Sequence, residues 1–198
     1  MPIERHADVR GYFQERLVTA LERHRVRPLA RTEVYLVNLL GEFAVTRDEE
    51  LLARPLVELL AHAMEAEGIE RLRRFRDMGD AALYVLGFFS DHLERRGIAH
   101  GYVASMGGRA YQAAESMAQR ARASDGGMAE VFGELADRFE EFARVLEEVR
   151  ESTALRTPQE IVKLYEKWRR TGSPTLAKRL EQEGVFPQVV GRGGRTVH

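Results

Sequence analysis

Residues 78–117 read MGDAALYVLGFFSDHLERRGIAHGYVASMGGRAYQAAESM. Apolar and small residues recur here at helical spacing, yet they wrap most of the way round instead of keeping to one stripe. A helix that is apolar on nearly every side belongs in the interior of a bundle. Gly87, Gly107 and Gly108 lie inside this helical pattern. Each costs about 1 kcal/mol of helix propensity against alanine, so close packing or a kink has to compensate.

Toward the N-terminus the helical period continues. Val9, Phe13, Leu17 and Leu21 step by four and define a first helix that fades over residues 25–28. Thr32 is placed to cap a second helix carrying Val34, Leu36, Val37, Leu39, Leu40 and Phe43. Thr46 and Glu49 have capping-box spacing. Pro55 cannot sit in a helix interior without losing a hydrogen bond. A short turn over residues 49–53 is therefore expected, then a helix with Pro55 in its first turn. Leu56, Leu59, Leu60 and Ala63 face inward on it, and Gly68 ends it. The fourth helix aligns Leu72, Phe75, Gly79, Ala82, Leu86 and Phe89, with Leu83, Tyr84 and Phe88 outside that stripe. Its C-terminal half should be enclosed on several sides. Asp91 and Glu94 cap a short turn closed by Gly97, and a fifth helix runs over about residues 99–123.

Toward the C-terminus, residues 124–127 (SDGG) form a loop. Val131, Phe132, Leu135, Phe139, Phe142, Val145, Leu146 and Val149 make the cleanest apolar stripe in the chain and predict one continuous helix. Its other face carries Glu130, Glu134, Asp137, Glu140, Glu141, Glu147 and Glu148, which reads as a solvated surface. Thr157-Pro158-Gln159-Glu160 combines an N-cap, a first-turn proline and a capping-box glutamate. The helix it starts carries Ile161, Leu164, Tyr165 and Trp168 and stops at Gly172. Ser173-Pro174 opens a last short helix closed by Gly184. The fold class is all-α: a single bundle of about seven to eight helices with a C-terminal helical pair. The boundaries are residues 1–153 for the main bundle, 154–184 for the pair, packed on or appended to it, and 185–198 for a flexible tail.

Composition narrows the function classes. The 198 residues are 44% hydrophobic and carry a net charge of −1, so no global field draws the chain to nucleic acid or an anionic membrane. Absence of cysteine removes disulfides, thiolate metal sites and cysteine nucleophiles. Lysine occurs only at Lys163, Lys167 and Lys178, and an arginine-heavy usage of this kind fits a GC-rich bacterial genome. The N-terminus has no signal-like apolar segment and no run approaches the roughly 20 residues of a membrane span. A cytoplasmic protein is expected.

Catalytic motifs are sparse. There is no Walker-type loop and no GxSxG elbow, and the GRGG of residues 191–194 follows no strand. No Glu-x-x-His pair suits a di-metal bundle; Glu58 and His62, at i and i+4, lie on the polar side of their helix. No cofactor or metal is expected. The ligand-binding candidates are Tyr84, His92, His100, Arg109 and Tyr111, polar groups set in or beside the apolar centre. Asp80 and Glu115 are expected to pair with arginines there, and the tyrosines to place their hydroxyls at the rim. The interaction-surface candidates are Lys163, Lys167, Trp168, Arg169 and Arg170. The expectation is a non-enzymatic protein-binding or regulatory module that meets a partner or a second copy. The alternatives are a small-molecule or metal-binding bundle with its site in residues 80–115, and a nucleic-acid binder acting through the basic C-terminal helices.

Overall fold

The computed structural model describes residues 4–43, 54–121, 127–152, 158–183 and 185–186. Among these the chain is all-α, with ten helices: α1 Glu4–His24, α2 Ala30–Phe43, α3 Leu56–Glu65, α4 Gly68–Phe88, α5 Ser90–Arg95, α6 His100–Ala121, α7 Met128–Asp137, α8 Phe139–Glu151, α9 Pro158–Thr171 and α10 Pro174–Gln182. No helix among the described residues is long and apolar enough to cross a membrane. Two features raise the helix number above the eight read from the pattern. Residues 90–95 form a short helix rather than a capped turn, with Phe89 and not Asp91 at its N-cap. The long helix of residues 131–149 is in fact two, broken at Arg138 (φ −117°, ψ 26°).

The centre is α4 against α6, with α3, α8 and α2 around α4 and α7 beyond α6. Leu83, Tyr84 and Phe88 are buried, so the enclosure of the second half of α4 is as the wrapped apolar pattern requires. The glycines do what their propensity cost demands. A β-carbon on Gly107 would lie 2.8 Å from the Ala82 β-carbon and 2.6 Å from Phe139 Cε2. On Gly87 it would lie 2.6 Å from the Leu146 β-carbon, and on Gly79 2.7 Å from the Tyr111 ring. Bare backbone at these points lets α4 and α6 meet each other and α8 at a separation that alanine would forbid.

Arg138, at the break, joins three parts of the fold. Its guanidinium donates to Glu134 (2.8 Å) on α7, to Glu141 (3.0 Å) on α8 and to the Arg27 carbonyl (3.1 Å) in the α1–α2 connection. It also lies 5.3 Å from the centre of the Phe142 ring. One side chain thus bridges both arms of the bend and the loop beneath it.

Smaller differences concern the caps. Thr32 lies inside α2, two residues past its start, and is buried; its hydroxyl has no hydrogen-bond partner among the described residues. Pro55 precedes α3 as its N-cap. Gly68, at φ +53°, opens α4 rather than closing α3. The expected features at Thr46–Glu49, residues 124–126, Thr157, Gly184 and the tail beyond Phe186 lie outside the described residues.

The C-terminal pair joins the core through Ile161, Tyr165, Trp168, Leu180 and Val185, all buried, and α9 packs on α2. Arg16 on α1 donates to the carbonyls of Ser152 (2.9 Å) and Glu183 (3.1 Å), tying both ends of this segment to the first helix.

Candidate functional site

The central polar residues form one buried network and several separate sites. Asp80, on α4, is 8% exposed. Its Oδ1 accepts the hydroxyl of Tyr35 from α2 at 2.6 Å and the hydroxyl of Tyr111 from α6 at 2.7 Å. The Arg76 guanidinium stands one turn away, 3.8 Å from Oδ2, and is itself bonded to Asp77 at 2.6 Å. Burial pushes the Asp80 carboxyl up to about 7, with the two tyrosine hydrogen bonds and Arg76 pulling the other way. The Tyr111 and Tyr35 hydroxyls are driven well above their usual range, first by burial and then by the adjacent carboxylate. Asp80 therefore pairs chiefly with tyrosines, and the Tyr111 hydroxyl lies inside the fold instead of at its rim. The Tyr111 ring stacks on Phe132 at 6.1 Å between centroids.

The other ligand-binding candidates lie elsewhere. Tyr84 is a core ring stacked on Phe43 and Phe88, 4.5 and 4.6 Å between centroids. His92 is half-buried on α5, and its Nε2 has no hydrogen-bond partner among the described residues. His100 begins α6 with Nε2 3.3 Å from the Ser90 carbonyl and 3.9 Å from Glu94. Arg109 is exposed on α6, where it lines a cleft of about 520 Å³ between α6 and the α7–α8 bend that Arg144 also lines. The structure thus brings Tyr111 to Asp80 and leaves Tyr84, His92, His100 and Arg109 apart from them. Glu58 and His62 are both exposed, and no group of three metal-ligating side chains comes together among the described residues.

The interaction-surface candidates divide by side. Lys163, Lys167, Arg169 and Arg170 are exposed. Trp168 is only 7% exposed and packs with Tyr165 into the core, so it offers no open ring to a partner. The acidic surface of α7 and α8 is partly neutralised. Glu134 and Glu141 bind Arg138, Glu147 lies 3.9 Å from Arg150, and Glu148 pairs with Arg23.

One surface has no counterpart in the sequence reading. α3 (LVELLAHAME) is apolar around most of its girth, but Ala63 is its one residue in the buried class. Leu56, Leu59 and Leu60 are half-buried against the core. Val57 and Met64 are 60% and 58% exposed, with exposed Ala61 between them, and Ile69 at the start of α4 is 61% exposed. The signal was present as an apolar arc wider than one neighbouring helix can cover. Comparison of the chain with protein-family models, with curated proteins and with solved structures gives no match.

Proposed function

We propose that this is a non-enzymatic protein-interaction module, bacterial and cytoplasmic, whose contact surface is the outer face of α3. The observation that carries the reading is the stripe Val57–Ala61–Met64, with Ile69 at the start of α4, exposed on a helix whose other apolar side packs on the core. Spacing of i, i+4, i+7 is the pattern by which helices present anchors to an amphipathic partner. Glu58 and Glu65 stand seven residues apart, about 80–90° round the helix from that stripe at 3.6 residues per turn. Both are exposed and without an ion-pair partner among the described residues. The partner that fits is an amphipathic helix of another protein with an apolar stripe bordered by lysine or arginine. The arginine-heavy usage supports the bacterial source.

A photo-crosslinking residue placed at position 57 or 64 in cells of the source organism tests this. The expected adduct is a peptide of another protein with that apolar and basic pattern, lost when the other position is changed to glutamate. Adducts only with a second copy of the chain, or none from either position, would overturn the reading.

A further inference from the structure

The C-terminal helical pair presents a second surface, independent of α3. Lys163, Lys167 and Arg170 recur at i, i+4, i+7 on α9. They fall within an arc of about 60° and span about 10 Å along the axis. Ile161, Tyr165 and Trp168 occupy the opposite side and are buried, so the cations face water by the geometry of the helix. Arg169 on α9 and Lys178 and Arg179 on α10 are exposed as well, and none of these six has an ion-pair partner among the described residues. In the main bundle the arginines at 23, 74, 76, 138 and 150 hold carboxylates, while Arg109 and Arg144 are exposed without an ion-pair partner among the described residues; α9 differs in lining up three such cations on one helix face.

The imbalance is local. From residue 158 to the C-terminus the sequence has eight lysines and arginines against four glutamates, in a chain whose net charge is −1. Glu166 and Glu181 are exposed among the cations, whereas Glu183 is buried and its carbonyl is bound by Arg16. The same unit ends its described part on Phe186, 71% exposed, directly after buried Val185. The sequence from residue 185 onward contains Arg192 and Arg195 in a GRGGR stretch and no acidic residue.

We infer that α9, α10 and Phe186 form a binding surface for single-stranded nucleic acid, held by its phosphates and by stacking of a base on Phe186. Unpaired cations tracking a backbone together with an exposed aromatic ring are the two parts such surfaces use. An acidic peptide would engage the cations but would gain little from an open phenyl ring. A duplex would supply phosphates but keeps its base faces stacked and out of reach of the ring. Nothing in the set reads base edges, so recognition is indifferent to sequence.

The test is fluorescence anisotropy of the full chain with labelled 20-nucleotide RNA and DNA of mixed sequence, the matching DNA duplex, and polyglutamate of equal length. Either single strand should bind best. If the α9 stripe neutralises three phosphates, log Kd should rise with log salt at a slope of about 2 for single strands. The triple variant K163Q/K167Q/R170Q, which keeps good helix formers on the exposed face, should melt like the parent, bind at least tenfold more weakly and lose most of that slope. Phe186→Ala should weaken single-strand binding about tenfold and leave duplex binding unchanged. No binding at 25 mM salt would overturn the inference. So would polyglutamate or duplex binding as tightly as the single strands, or wild-type affinity in either variant. None of these outcomes bears on α3, whose crosslinks report separately.

Discussion

Replacing Asp80 by asparagine removes a buried charge and keeps an oxygen that can accept both tyrosine hydroxyls. The carboxyl titrates at about 7 in the folded chain against 3.8 when unfolded, chiefly because burial disfavours the charged form. Between those values the folded state holds a proton that the unfolded state has released, so stability falls as pH rises, by about 1.4 kcal/mol per pH unit. The contribution is complete below pH 3.8, is lost on rising through about 7, and totals about 4 kcal/mol. The groups facing Asp80 are Tyr35 from α2, Tyr111 from α6 and Arg76 and Asp77 on its own helix, so the tyrosines stay neutral throughout this window. Urea unfolding followed by circular dichroism at pH 4, 5, 6, 7 and 8 measures the effect as the difference between parent and Asp80→Asn. Other carboxylates cancel in that difference. The parent should lose ground to the variant progressively, by about 4 kcal/mol in all, with most of the change complete by pH 7. A difference that is flat with pH, or one that moves in the parent's favour as pH rises, would refute the reasoning. The second outcome would mean that Arg76 and the tyrosine hydrogen bonds outweigh burial and hold the carboxyl below its ordinary range.

Three further perturbations have defined outcomes. Gly107→Ala sets a methyl 2.8 Å from Ala82 and 2.6 Å from Phe139; the fold should lose about 1–3 kcal/mol, seen as a lower urea midpoint, and a parental midpoint would mean α4 and α6 are not in contact there. Gly172, at φ +62° between α9 and α10, has open space around it, so Gly172→Ala should cost about 1 kcal/mol through backbone strain alone, and Gly172→Asn should cost less. Arg138→Ala removes the bonds to Glu134, Glu141 and the Arg27 carbonyl; a loss of about 1–2 kcal/mol is expected by thermal or urea melting, with faster amide exchange around residues 134–142, and unchanged exchange there would show that the bend holds without this side chain.

The interior was legible because it rests on short-range spacing. Leu83, Tyr84 and Phe88 fall outside a one-sided stripe, and only a helix covered on several sides tolerates that. Gly87 and Gly107 interrupt good helix-forming sequence, and a close neighbour is the usual compensation. The bend at Arg138 was not legible. The apolar stripe runs through Leu135, Phe139 and Phe142 in unbroken register, with no proline or glycine at the break. The Arg27 carbonyl that Arg138 meets at the break is 111 positions away in sequence, a neighbour that local spacing does not announce. Tyr35 escaped for the same reason. Nothing in α2 announces that its hydroxyl reaches Asp80, 45 positions later. On the surface, the pattern of α3 placed Leu56, Leu59, Leu60 and Ala63 inward, and that side does pack. How much of the remaining arc stays bare depends on neighbours that helical periodicity does not specify.

Where recognition can occur follows from where the molecule is full. At Gly79, Gly87 and Gly107 the centre has no room for a methyl group, so its space is already taken by Tyr111, Leu146 and Phe139. A ligand seated at Tyr84 or Tyr111 would have to displace the rings stacked on them, Phe43 and Phe88 in one case and Phe132 in the other. Emptying a buried aromatic site costs about 3–5 kcal/mol, which a ligand would have to recover before any net affinity appeared. The Asp80 network fills its own acceptor with two internal donors, so a ligand there would also have to replace those hydrogen bonds. On α3 and α9 the balance is reversed. Apolar side chains and unpaired cations already stand in water, and covering them releases free energy without first breaking anything inside. That asymmetry is the physical ground for placing both proposed contact surfaces on the exterior of a tightly filled bundle.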